Sequence, residues 1–257
     1  MDAIIRFLRD APVAMLIVFI VLENVFIFVA SLVVGAWLAK WFAHRPVSEA
    51  PELLSRQEIG LATSTVLLNS LVTIAGLFLW RRGIIQFRTD MGFFTVLFDF
   101  AFLVLVMDVC MYVLHRVAHI PIFFKIVHRT HHRYDNPRPL TLFVMNPLEC
   151  LSFGMLWLLV VSVYHATWIG MSLYLAFNAA FGLLGHIGVE PFPDRWNRTP
   201  ILKYISTSSF HAGHHHEDDY NFGFYTLIWD RLFGTLAPRY DDDFAHQPSS
   251  DNVPSTR

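Results

Sequence analysis

The chain has 257 residues, 54% of them hydrophobic and 16% charged, with a formal net charge of −2. That balance is too apolar for an ordinary soluble domain, and a chain so close to neutral gives no electrostatic case for binding nucleic acid. The two cysteines, Cys110 and Cys150, sit in apolar runs and make no disulfide framework. Five apolar stretches approach or exceed the ~20 residues that cross a bilayer. They are residues 11–37, 60–80, 93–114, 148–163 and 168–184, and the last two are expected to form a hairpin. The first run is too long for a cleaved signal peptide, and no small-residue cleavage site follows it. Between the runs lie a polar loop over residues 39–58, with Pro46 and Pro51, and a second loop with Arg81, Arg82, Arg88 and Asp90. Residues 115–146 and those after 185 are polar and histidine-rich. Residues 238–257 are rich in Asp, Ser and Pro and are predicted to form a mobile tail.

These stretches predict an all-α, multi-pass transmembrane helical bundle with a histidine-rich helical cap. The expected organisation is N-terminal transmembrane helices and loops over 1–92, a catalytic domain over 93–237 and a tail over 238–257. If the fourth and fifth runs enter and return, both histidine-rich regions share one side of the bilayer. The basic residues there, among them Arg116, Arg129, Arg133, Arg195 and Arg198, put that side in the cytoplasm. Arg81, Arg82 and Arg88 then face outward, against the same rule.

Histidine is the unusual residue, with thirteen copies. His115 and His119 are four apart, while His128, His131 and His132 form an H-x-x-H-H triplet. His211, His214 and His215 form a second triplet, and His186 stands alone between the two. Helical residues at i, i+3 and i+4 share a face, so each triplet is expected to aim three imidazoles at one point. Nine grouped imidazoles exceed the need of one structural zinc, with about four ligands, and point to two metals close together. A lone histidine is more often an ordinary surface or core residue, and His44, His165, His216 and His246 are left as such.

Carboxylates are expected to act by accepting the free ring N–H of the ligand histidines. Asp108 lies seven residues before His115 on one helical face, and an acidic group inside a span is a functional candidate. Glu149 and Glu190 are the other two candidates. Glu23 and Asp99 are also intramembrane acids, but nothing in the sequence links them to the histidines.

The order H-x-x-x-H, H-x-x-H-H, lone His, H-x-x-H-H resembles the fatty acid hydroxylase/sterol desaturase superfamily of membrane di-iron oxygenases. Residues 108–119 read D-V-C-M-Y-V-L-H-R-V-A-H, residues 146–149 N-P-L-E and residues 185–188 G-H-I-G. The stretch 210–235 closes with H-x-x-H-H, then N-F-G and W-D-R-L-F-G-T. The resemblance covers about residues 93–236. It implies two iron ions held by His115, His119, His128, His131, His132, His186, His211, His214 and His215. Some relatives carry a further histidine four residues before the lone one. Here that position is Gly182, and water or a polar group such as Asn178 is a possible substitute.

An alkyl C–H bond has no acidic proton and no leaving group, so acid–base chemistry alone cannot activate it. The resemblance implies O2-dependent hydroxylation or desaturation of a lipid, sterol or fatty acyl, with a carotenoid or alkylglycerol as the runner-up. No G-x-G-x-x-G, flavin motif, C-x-x-C pair or H-P-G-G haem motif is present. Electrons are therefore expected from an external donor such as a ferredoxin or cytochrome b5. A zinc-dependent membrane hydrolase is the alternative from another class, but H-E-x-x-H is absent. A metal transporter would need histidines or acids at mid-membrane depth in several spans.

Overall fold

The structure is a computed structural model that describes residues 2–244. A short helix α1 (Asp2–Asp10) precedes three long ones, α2 (Val13–Trp41), α3 (Arg56–Arg81) and α4 (Phe93–Ala118). Next come α5 (Pro121–Phe123), a π-helical turn over Phe124–His128 and α6 (Arg129–His132). Then follow α7 (Pro147–Val163), α8 (Trp168–Gly185), α9 (Ser208–His216), α10 (Ile228–Phe233) and α11 (Tyr240–Asp243). No β-strand occurs among the described residues, only two isolated bridges. The all-α expectation is met.

Helices α2, α3, α4 and α8 are long and apolar enough to cross a membrane, whereas α7 is a shorter apolar helix of 17 residues. α7 packs on α3, and α8 packs on α4 and α2. The helix starts follow from local chemistry. Ser55 accepts from Glu58 N at 3.1 Å while Glu58 accepts from Ser55 N at 2.8 Å, a reciprocal cap for α3. Asn146 caps α7 ahead of Pro147, Thr167 caps α8 and Thr207 caps α9.

The long helices bury little of themselves. In α2, Val18, Phe19, Leu22, Phe26 and Val33 all stand exposed. An apolar surface this continuous marks contact with something other than water. The buried interior lies between α4, α7 and α8, where Leu103, Met107, Met111 and Tyr174 meet Tyr225 from the C-terminal region.

The stretch predicted as a mobile tail from residue 238 needs correction. Tyr240 and Phe244 are buried and pack with Phe210 and Leu227, because their rings complete a core that α9 and α10 cannot close alone. Residues 245–257, with His246, lie outside the described region.

Candidate metal centre

Nine histidines converge where α4, the π turn, α6, α8 and α9 meet, and they fall into two groups. The first is His115, His119, His128, His132 and His214; the second is His131, His186, His211 and His215. Within each group the donor nitrogens lie within 4.8 Å of one another. Seven of the nine are buried, and His119 and His211 are half-buried. His44, His165 and His216 are exposed, as expected of ordinary surface residues.

The grouping corrects one expectation. Each triplet divides two to one instead of aiming at a single point. His128 and His132 serve the first group while His131 serves the second; His211 and His215 serve the second while His214 serves the first. Helix geometry gives the reason. Residues i and i+4 are about 40° apart around the axis, while i+3 lies roughly 60° to the other side. The ring of His131 is 6.1 Å from that of His132, and His132 is 5.1 Å from His215, so the two groups adjoin.

The ring tautomers can be assigned from partners that only accept. His115 Nδ1 donates to Phe222 O at 2.9 Å, and His214 Nδ1 donates to Tyr220 O at 2.6 Å. His186 Nδ1 donates to Gly182 O at 2.7 Å, and His128 Nδ1 to Glu149 Oε1 at 2.7 Å. In a neutral ring the other nitrogen, Nε2, then carries only a lone pair. Yet His115 Nε2 and His128 Nε2 lie 3.0 Å apart, and His132 Nε2 lies 3.1 Å from His128 Nε2 and 3.0 Å from His214 Nε2. In the second group Nε2 of His186 lies 3.1 Å from His211 and 3.3 Å from His131. Lone pairs facing at this range repel unless a cation lies among them. The spacing is that of adjacent donors around an ion with nitrogen bonds of about 2.1 Å. Buried His119 Nε2 has no hydrogen-bond partner, which fits the same purpose. The donor set, all imidazole, suits iron, zinc, copper or nickel.

Burial keeps the rings neutral and ready to bind. Desolvation, and then repulsion from neighbouring imidazoles, holds His119 down to about 2 and His131, His211, His214 and His215 well below the usual range. Burial takes His186 to about 4.

Of the three predicted carboxylates only Glu149 touches a clustered histidine. Asp108 accepts instead from Tyr225 N, Thr226 N, Thr226 Oγ1 and Trp229 Nε1, at 2.5–3.1 Å. It faces the turn after residue 224 rather than His115, because those donors would otherwise be stranded in an apolar interior. Glu190 accepts from Phe192 N, Ser209 N and Ser209 Oγ, and so ties down the start of α9. Asn178 does not join the second group either, since its Oδ1 accepts from Tyr225 OH at 2.6 Å. Gly182 supplies no side-chain donor, and a Cβ there would meet the end of the Leu142 side chain at 2.9 Å. The second group therefore holds four imidazoles and the first five.

Three supports were not legible in the sequence. Asp218 Oδ1 lies 3.0 Å from His132 Nδ1. Asp230 accepts from Phe222 N at 2.8 Å, Gly223 N at 2.7 Å and Thr235 Oγ1 at 2.7 Å, which fixes the peptide whose carbonyl receives His115. Burial raises Asp230 to about 6. Asn221 adopts a left-handed φ of 61°, a conformation asparagine tolerates, and this bend turns the carbonyls of Tyr220 and Phe222 toward the two rings. Gly223 is required beside it, since a Cβ would meet Thr226 O at 2.4 Å and Asp230 Oδ2 at 2.6 Å. The N-F-G and W-D-R segments were the available signal.

The sequence is similar to those of several known proteins. The family model described as fatty acid hydroxylase matches residues 100–235. The chain is 26% identical over 140 residues to a Delta(7)-sterol 5(6)-desaturase of Leptosphaeria maculans, covering 54% of this chain and 37% of that protein. It is 27% identical over 193 residues to lathosterol oxidase of Homo sapiens, covering 70% and 60%. A very-long-chain aldehyde decarbonylase of Oryza sativa subsp. indica is 35% identical over 132 residues, covering 49% and 21%. The chain thus spans between about a fifth and three fifths of the length of these relatives. No solved structure matches it. The matched segment is just over half of the chain and contains all nine clustered histidines, and the chain accordingly belongs to the fatty acid hydroxylase family.

Proposed function

We propose that this chain is a multi-pass membrane oxidoreductase that holds two iron ions and oxidises unactivated C–H bonds of a lipid with O2 and external electrons. The observation that carries the reading is the meeting of Nε2 lone pairs in two adjoining groups. His115, His119, His128, His132 and His214 would hold one ion; His131, His186, His211 and His215 would hold the other. Bound there, a redox pair of irons supplies the O2 activation that no side chain can. The sterol desaturases, lathosterol oxidase and aldehyde decarbonylase among the relatives support a lipid substrate, sterol or fatty acyl.

The protein's own part is positional. The carbonyls of Phe222, Tyr220 and Gly182 and the carboxylate of Glu149 each hold an Nδ1–H, which fixes the ring and leaves Nε2 to bind. Burial of seven of the nine rings would limit the access of water to the centre. The apolar helices beside it favour lateral entry of substrate from lipid. The positive-inside rule supports a cytoplasmic catalytic face, where a ferredoxin or cytochrome b5 would deliver electrons.

The test is purification from iron-replete cells with metal analysis and Mössbauer spectroscopy, joined to reductant-driven turnover of sterol and fatty acyl lipids with and without O2. Two irons per chain and O2-dependent product are expected. Product formation unaffected by removal of iron or of O2 overturns the reading.

A further inference from the structure

The elements that carry the histidines also show an outward apolar surface that no part of the described chain covers. On α4, Val113 and Val117 are exposed one helical turn apart, on the flank away from buried His115. The chain then runs into α5 and the π turn, where Ile122 and Ile126 repeat the same four-residue spacing. On the other flank of α4, Tyr112 stacks on Phe233 of α10 at 5.7 Å, and Phe233 and Leu232 point outward. These six side chains are 39–66% exposed. They are continuous with α4, a helix apolar enough to cross a membrane.

The polar side of the same short elements has a definite chemistry. His128, His131 and His132 face inward, while Lys125 and Arg129, also four apart, face outward. Neither Lys125 nor Arg129 forms an ion pair among the described residues. A short segment with apolar side chains on one edge, basic ones on the next and its remaining face packed on protein has the make-up of an interfacial element. Long basic side chains there keep their charge at the head groups while their stems lie along apolar surface.

We propose that Val113, Val117, Ile122, Ile126, Leu232 and Phe233 form a collar embedded at the boundary between lipid head groups and acyl chains, with Lys125 and Arg129 at head-group phosphates. The occupant of this surface is the bilayer. The argument is continuity: the collar begins on the lipid side of α4 and widens at that helix's end. His115 is within two residues of both Val113 and Val117, which is about 3 Å along the helix axis. The histidine groups are thereby set at head-group depth, and a lipid reaches them without passing through bulk water. The inference rests on the membrane-spanning reading proposed above and is independent of which metal binds.

Spin labels test it. Cysteines are placed singly at positions 122, 126, 129 and 232 in a Cys110→Ala, Cys150→Ala background. The chain is reconstituted one copy per disc in nanodiscs of phosphatidylcholine with phosphatidylglycerol. Power saturation compares accessibility to O2, which enters the acyl region, with accessibility to a water-soluble nickel chelate. Labels at 122, 126 and 232 are expected to favour O2 several-fold over the label at 129. Radical footprinting of the unsubstituted chain in the same discs gives a label-free reading, in which Phe123 and Phe233 stay unmodified although about half of each is exposed. Labels at 122, 126 and 232 that favour the nickel chelate, or that are shielded from both reagents, overturn the proposal, as does modification of both phenylalanines.

Discussion

Glu149→Gln isolates the buried carboxylate that meets a clustered histidine. Both partners are buried and the contact is 2.7 Å, and with a metal ion on the far side of the ring this would be a charge-assisted bond shielded from solvent. Glutamine keeps the shape and can still accept from His128 Nδ1 through its carbonyl oxygen, but the charge is gone. Charge-assisted bonds contribute about 1.5–3 kcal/mol and neutral ones about 0.5–1.5 kcal/mol, a difference near 1–1.5 kcal/mol. At roughly 1.4 kcal/mol per tenfold, iron affinity should fall about five- to twelvefold. Glu149→Ala goes further, because it strands a buried N–H and frees the ring to flip or exchange tautomer. A loss of about 10–100-fold is expected there, the usual range for partners of metal-bound histidine. The assay is competition with a graded series of iron chelators on protein in lipid, with thermal unfolding as a control for the fold. Wild-type iron affinity in both variants refutes the reasoning.

Other outcomes follow from the same contacts. His211→Ala and His214→Ala each remove a donor from one group, and each should abolish O2-dependent turnover while circular dichroism stays helical; turnover surviving in both removes the ligand assignment. Asp108→Asn turns an amide N–H toward the donors from Thr226 and Trp229, so it should destabilise the protein by roughly 1–3 kcal/mol, read as a lower Tm, and change iron affinity less than Glu149→Ala does. Buried histidines such as His186, near 4 when folded against about 6.5 when unfolded, give the metal-free protein a pH-dependent stability. Their contribution is complete above pH ~6.5 and drains away as the pH falls toward 4, because the unfolded chain binds more protons in that window. Chemical denaturation at several pH values checks this, and a midpoint that does not fall below pH 6 would contradict it.

The apolar runs were legible because length and hydropathy suffice for them: α2, α3, α4 and α8 lie within a few residues of the expected spans. The nine histidines were equally legible, since chelating spacing shows in one dimension. Their distribution between the groups was not, because it depends on how α6 and α9 face each other across the bundle. Backbone acceptors such as Phe222 O and Tyr220 O carry no side-chain signature at all. Asp108 was misassigned for a related reason. Helical spacing put it on the same face as His115, but the donors that satisfy it come from residues 225–229, brought in by the tertiary fold.

The two-to-one division of each triplet has a mechanical consequence. Under the proposed ligation, α6 and α9 are each bolted to both ions, so neither helix can shift without disturbing the two sites together. Capturing the first ion immobilises the backbone that presents imidazoles to the second, and the ordering entropy is then spent only once. Loading should therefore be all-or-none, with chelators stripping the pair in a single step and half-filled protein scarce at any free iron level.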